Sequence, residues 1–403
     1  MSRRSVDDDV WASRRRHPTA RPVPPPRPSS TFVGLLVVLI ALNLLGLVMV
    51  LSASSVSALD TYGSSWYVVM RQGLWMALGL VGCAVVMRVD YHRWRRLATP
   101  ALAVSGVLLA LVLVPGIGTS ANGATRWLGA GPLTFQPSEL AKLTVLVFVA
   151  DLLARRAAWM GDVRVTLVPV LVVFGTFAGL LMLQPNLGTT LVLGSIVLAV
   201  LYVAGTPLLP LAGLSAVGAA AATVLALAAP YRRARVMAFL DPWKDYQDTG
   251  YQTIQSLVGL ASGGITGTGL GQSRAKWGFL PYAHTDFIFA IIGEELGLVG
   301  ALSVVALIVA LCILGARAAL LAPDRFGMLL AAGITAWFGV QAFVNIGAVI
   351  GILPITGVPL PFVSYGGTSL MINLVAAGLL LNVARQGRRR AAARPALAGG
   401  GAR

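Results

Sequence analysis

The run FVGLLVVLIALNLLGLVMVLSAS at Phe32–Ser54 carries no charged side chain and a single Asn. Wound as an α-helix, it is long enough to cross about 30 Å of hydrocarbon. It is longer than the apolar core of a signal peptide and no persuasive cleavage site follows it, so it reads as a retained first span. Similar segments recur along the chain and predict ten spans, near 32–54, 66–87, 98–114, 137–154, 165–183, 187–205, 207–229, 286–315, 327–352 and 364–384. With 57% hydrophobic and 11% charged residues over 403 positions, the chain has too few polar side chains to cover a soluble protein of this size. The ten-residue alternation of a membrane β-barrel is missing. The fold class is therefore an all-α polytopic membrane protein.

The net charge of +16 would suggest nucleic acid in a soluble protein. Here the Arg residues gather in the tails and in short loops on one side: HRWRR at His92–Arg96, Arg155 with Arg156, Arg317 with Arg325, and RQGRRR at Arg385–Arg390. This is an orientation signal that puts both tails in the cytoplasm and leaves no nucleic-acid partner to expect. Residues 1–31 are polar and Pro-rich, too poor in apolar groups to form a core, and are predicted to be a disordered cytoplasmic tail. Residues 32–384 form the membrane domain and 385–403 a basic cytoplasmic tail, both tails suited to anionic lipids or cytoplasmic partners. Cys83 and Cys312 lie in apolar segments and imply no disulfide framework or thiol metal site. Three outward segments remain: Pro115–Gln136, the large extracytoplasmic loop at about 230–285 between the seventh and eighth spans, and Leu353–Val363. A loop of that size is usually functional or disordered.

The long loop ends in YQTIQSLVGLASGGITGTGLGQSRAKWGFLPYAHTDFIFAIIGEELG, Tyr251–Gly297, which packs polar groups at a bilayer surface as a site does. Together with ATRWLGAGPLTFQPSELAKL at Ala124–Leu143 and NIGAVIGILPITGVPLPFVSYGGTS at Asn345–Ser369, it resembles the SEDS family of bacterial cell-wall polymerases. The phrases SRAKWGFLP and PITGVPLPFVSYGG are nearer its division branch than its elongation branch. The resemblance implies a ten-helix enzyme that polymerises lipid II into glycan strands at the outer face of the cytoplasmic membrane, at the division septum. It also implies a class B penicillin-binding protein and other division membrane proteins as partners. A lipid II flippase and a non-catalytic division scaffold are the alternatives.

The resemblance places the family's essential loop aspartate on Asp286. A sugar hydroxyl is a poor nucleophile near neutral pH, so a carboxylate within hydrogen-bond reach is the expected general base; Asp is equally favoured as an N-cap for the span that follows. His284, two residues earlier, is a candidate substrate contact. A departing diphosphate calls for cations or a divalent metal, Mg²⁺ or Mn²⁺. Lys276, Arg235 and Arg274 are the candidates, although basic residues here could equally bind anionic headgroups. No motif defines a specific metal site. Glu139 and Lys142, one helical turn apart, are expected to pair and to face the protein interior or a wet cavity, as a structural ion pair or as part of a substrate path. On a continuous helix Glu294 lies about 80° from Asp286 and is its expected companion, with Arg71 as a counter-charge for one of the acids. GGITGTGLGQ at Gly263–Gln272 has no strand before it, which excludes nucleotide binding and leaves close loop packing or substrate contact. Ser364 and the prolines before it break the helical run and are expected in a groove wall. The family usually carries Asp where this chain has Asn186.

Overall fold

The computed structural model describes residues 29–121, 124–129 and 134–398. Its helices are α1 (Ser30–Tyr62), α2 (Tyr67–Arg88), α3 (Tyr91–Val112), α4 (Pro137–Arg155), α5 (Val163–Leu183), α6 (Leu187–Ala204), α7 (Leu208–Ala228), α8 (Pro230–Leu240), α9 (Thr249–Gly263), α10 (Ile288–Leu320), α11 (Arg325–Val349) and α12 (Gly367–Ala398). Among the described residues, nine of these are long and apolar enough to span a membrane. The tenth expected span, α4, carries Glu139, Lys142, Asp151 and Arg155, yet it runs through the interior with most of its residues buried. Glu139, Lys142 and Asp151 are buried and so meet protein instead of lipid, as charges at membrane depth must, while Arg155 stands exposed at the end of the helix. Side-chain caps fix several of the starts: Ser29 accepts from Phe32 N, Asp162 from Arg164 N and Asp324 from Gly327 N. Gly205, at φ +87°, ends α6 and lets Thr206-Pro207 turn the chain into α7, so the two are separate helices. Of α7, only Leu211 is buried, and this helix stands at the edge of the bundle.

The basic turns collect at one end. Arg385 bonds Met87 O, Arg95 pairs with Asp151, Tyr91 bonds Asp324, and Arg325 reaches Ala204 O, which ties the ends of α12, α2, α3, α4, α11 and α6 together. At the opposite end the segment after α3 is not helical but a small hairpin, β1 (Gly118–Ala121) antiparallel to β2 (Ala124–Leu128). This departs from an all-helical reading. Thr119, Thr125 and Trp127 are strand formers too few in number to show a period of two. The segment between α7 and α10 contains α8, a 3₁₀ turn at Pro242–Asp245, α9 and a kinked π-helical turn at Ala275–Phe279.

The interior of the bundle is knitted by one polar chain. The Lys142 ammonium lies 3.0 Å from Glu139 Oε1 and donates to Gln341 Oε1 at 3.0 Å, over the face of Trp337. Gln341 Nε2 in turn donates to Pro359 O at 2.9 Å, so α4, α11 and the irregular 353–363 segment are joined. Glu139 and Lys142 are 3% and 2% exposed. Breaking such a buried pair leaves a charge without a partner. Lys142→Met is expected to destabilise the protein by about 3–5 kcal/mol, and Glu139→Gln added to it to recover part of that loss, measured by thermal melting in detergent.

The helix α10 is broken at Gly297, whose φ of +66° and ψ of −164° suit glycine alone. Into the break runs the glycine-rich stretch after α9. Thr268 N donates to Glu294 O at 2.9 Å, Gly269 N to Glu295 O at 3.0 Å and Leu298 N to Gly264 O at 2.9 Å, replacing lost helical bonds. A Cβ on Gly267 would lie 2.2 Å from Glu295 O, and one on Gly263 1.9 Å from Gly293 O. The glycines serve close backbone packing. Gly297→Ala is expected to cost at least about 2 kcal/mol, seen as a lowered melting temperature and reduced yield of folded protein.

Candidate functional site

A cavity of about 1440 Å³ opens at the end of the bundle away from the basic turns. Asp286 lies on its wall. The residue at the start of α10 is Phe287, and no side chain caps it, so Asp286 is not spent as a helix cap. Its main chain is clamped: Asn345 Nδ2 donates to Asp286 O at 2.8 Å and to Val358 O at 2.9 Å, and Tyr365 N donates to His284 O at 2.9 Å. A Cβ on Gly357 would stand 3.6 Å from Asp286 Oδ2, so the carboxylate rests against a residue with no side chain. Burial pushes the Asp286 carboxyl up to about 6, against the pull of the Arg235 and Arg126 guanidiniums. Burial lowers His284, which favours the neutral ring, and that ring leans on Tyr365 with centroids 5.5 Å apart.

Two groups of cations line the wall. Arg126 projects from β2 and donates through Nε to Gln184 O at 3.1 Å and through Nη2 to Pro185 O at 2.5 Å, at the break between α5 and α6. Beside it, α8 supplies Arg232 and Arg235, both near the Tyr231 ring. Nε and Nη1 of Arg232 are buried without a protein acceptor. Arg71 of α2 also lines the cavity, donating to Thr134 Oγ1 at 3.1 Å and acting on the Tyr365 phenol, with Tyr62 and Trp75 on the same wall. Asn186 also lines the wall, and its Oδ1 accepts from Thr189 N at 3.4 Å at the start of α6. It serves there as a neutral cap.

Of the residues singled out from the sequence, Asp286, Arg235 and His284 come together on this wall. Others lie elsewhere. The Lys276 ammonium is buried, donating to Gly271 O at 2.6 Å and lying 3.5 Å from Glu295 Oε1. Glu294 accepts from Ser273 Oγ at 2.5 Å and Arg274 N at 2.8 Å, while Glu295 accepts from Ser52 Oγ of α1 at 2.7 Å. Glu294 is thus an anchor for the loop and not the companion of Asp286, and Arg71 counters neither acid. The physical reason is that residues 264–276 pack over both carboxylates, while Asp286 lies ahead of the first residue of α10, where helical angles no longer relate it to Glu294. Arg274 is exposed outside the cavity. Ser364 Oγ accepts from Leu360 N at 2.8 Å and its carbonyl from Gln72 Nε2 at 3.2 Å, which makes it a turn clamp. Glu139 and Lys142 belong to the interior chain described above.

Sequence reasoning passed over Arg126. The signal was present, because it is the single charged residue in the outward segment 115–136, where the orientation rule leaves basic residues scarce. It also passed over Asn345. Asp286 is the one carboxylate on the cavity wall among the described residues. A divalent cation brought here would take most of its ligands from a diphosphate and water.

A family model described as cell cycle protein and named for FtsW, RodA and SpoVE matches residues 33–389. The chain is 42% identical over 349 residues to a probable peptidoglycan glycosyltransferase FtsW of Geobacter metallireducens, covering 87% of this chain and 93% of that one. It is 46% identical over 360 residues to the probable peptidoglycan glycosyltransferase FtsW of Mycobacterium tuberculosis, covering 89% and 68%. Its fold matches a chain from the structure described as "Structural coordination of polymerization and crosslinking by a peptidoglycan synthase complex", with a TM-score of 0.73, 34% identity, and coverage of 88% of this chain and 98% of that one. The motifs that suggested the family and these likenesses agree, and the chain belongs to the SEDS family of FtsW, RodA and SpoVE.

Proposed function

We propose that the protein is an inverting peptidoglycan glycosyltransferase of cell division that polymerises lipid II and releases undecaprenyl diphosphate. The observation that carries the reading is a lone carboxylate, Asp286, raised to about 6 in a cavity whose cations, Arg126 and Arg235, face it. A base of that strength is mostly deprotonated at neutral pH yet still accepts a proton readily. Asp286 takes the proton of the acceptor hydroxyl, the freed oxygen bonds to the donor's anomeric carbon, and the bond from that carbon to the diphosphate breaks with its electron pair leaving on the diphosphate. Arg126 and Arg235 counter the charge that develops there.

The basic turns lie at the end opposite the cavity, which under the positive-inside rule supports cytoplasmic tails and a site at the outer leaflet. The septum is the place of action that fits a division enzyme. A class B penicillin-binding protein is the fitting partner, since a structural relative is described as a complex that coordinates polymerization and crosslinking. The flippase reading is less well supported: Glu139, Lys142, Glu294 and Glu295, which could have lined a polar path across the bilayer, are bound within the protein.

With labelled lipid II and purified protein, Asp286→Asn is expected to lower polymer formation at least about a hundredfold while keeping the fold. Polymer at the wild-type rate would remove the base. The wild-type kcat/KM should rise with pH through about 6 and level off above it, because the deprotonated carboxylate is the active form in the free enzyme. Asn345→Ala should free the Asp286 main chain and let water reach the carboxylate. The acid limb is then expected to move to lower pH and kcat to fall more than KM rises. Ser256→Ala, which removes a comparable buried bond to Val349 O, should leave that limb in place.

A further inference from the structure

Asp286 also lines a second cavity, of about 10 Å³, and Asn345 stands on the wall of this one and not of the large one. The volume admits the centre of a single water molecule. Asn345 is 2% exposed, and its Nδ2 is committed to two carbonyls, Asp286 O and Val358 O. That pairing fixes which end of the amide is nitrogen, so the other end is an acceptor. This Oδ1 is buried, and among the described residues no protein group donates to it. Buried polar atoms of this kind are met by ordered water where the site is polar and has room for it. Asp286 supplies the second polar partner, with its Oδ2 against Gly357 on the same small wall. Resting on the reading of Asp286 as base, we propose that one ordered water occupies this cavity and donates one hydrogen to Asn345 Oδ1 and the other to Asp286 Oδ2. It thereby leaves Oδ1 of Asp286 to take the acceptor's proton.

A free carboxylate has two equivalent oxygens, and only the one aimed at the acceptor hydroxyl serves the reaction. A donor held on Oδ2 stabilises the anion and directs the incoming proton to the other oxygen. Gly357, at φ +72°, brings main chain to Oδ2 where a side chain would otherwise stand, and so leaves that oxygen open to a small partner. Phe287, Ala348, Val349 and Val358 close the small wall with apolar groups, which keeps bulk water out while one molecule is held. Among the described residues no arginine lines this cavity, so it offers no countercharge to a diphosphate and is not a place for substrate. Asn345 then serves twice: its nitrogen holds the main chain of Asp286, and its oxygen holds the water.

The test fills the small cavity from Ala348, a buried residue of α11 that does not line the large one. Ala348→Val adds two methyl groups that displace the water, and Ala348→Ser brings a hydroxyl that donates in its place. The full-length protein in nanodiscs, without substrate, is treated with dicyclohexylcarbodiimide across a pH series. This reagent takes protonated carboxyls, and the modified fraction of Asp286 is read by mass spectrometry. Ala348→Val is expected to bind the Asp286 proton about tenfold more tightly than the wild type, because the anion has lost a donor, and Ala348→Ser to match the wild type. A wall that had only loosened would admit bulk water and weaken proton binding, so weaker or unchanged binding in Ala348→Val overturns the proposal. Equal tightening by Ala348→Ser would put the effect on volume alone and overturn it too. If Ala348→Val does not fold, a cryo-electron-microscopy map of the wild type decides. Density within hydrogen-bond distance of Asn345 Oδ1 and Asp286 Oδ2 sustains the water, and resolved side chains with nothing between them overturn it. Neither readout needs turnover. If the water is found and Asp286→Asn still polymerises lipid II, the base fails and the water site stands. If Asp286→Asn is inactive and no water is found, the base stands and the water site fails.

Discussion

Backbone that leaves the helical path at membrane depth must find its hydrogen bonds within the protein, and around this cavity buried side-chain amides meet that demand. Gln184 Nε2 holds Leu109 O next to the break between α5 and α6, and Gln341 holds Pro359 O. Gln72 holds Ser364 O, and Asn345 holds both Asp286 O and Val358 O. Each amide comes from a regular helix or its end, so rigid elements dictate where the irregular segments lie. The carboxylate inherits its position from this arrangement. A loop aspartate without such clamps would sample water and keep an ordinary carboxylate pKa.

The same economy governs the charges. At the basic end, Arg95 and Arg155 share Asp151, and Asp324 receives Tyr91 and His92. In the interior, Lys142 neutralises Glu139, while Glu294 and Glu295 are spent on Ser273, Ser52 and Lys276. These acids fix helices and loops. The acid on the cavity wall among the described residues is Asp286, with the guanidiniums of Arg71, Arg126, Arg232 and Arg235 around the same space.

The spans were legible because a bilayer demands length and apolarity, and nothing else in the chain imitates that signal. Even α4 was legible, since its charges stand at spacings that let them pair. The hairpin β1–β2 was not, because nine strand residues give too short a pattern to separate from a loop. The site was half legible. Asp286 came through the family motif, but Glu294 was misplaced because the angular arithmetic carried α10 back to Asp286, which lies ahead of its first residue, and Lys276 because nearness in sequence to Asp286 does not fix where the 264–276 loop lies. A glycine at position 297 is compatible with a continuous helix, and only the fit of Gly263 and Gly267 against α10 reveals the break. Arg126 needed a different argument, that of a lone charge in an outward segment.

In the proposed mechanism, electrostatics also couples the two halves of the reaction. Burial alone would lift Asp286 further, and Arg235 and Arg126 hold it down at about 6. When an anionic diphosphate settles on those guanidiniums, their field at Asp286 is compensated and the carboxylate becomes a stronger base, at the moment the donor is in place. As the bond to the diphosphate breaks, the added negative charge strengthens that effect and helps Asp286 keep the proton it has taken. Departure of the diphosphate then restores the uncompensated cations, lowers the affinity for the proton and returns the carboxylate to its working form. One carboxylate and two arginines thereby tie proton removal to occupancy by the leaving group, with no moving part.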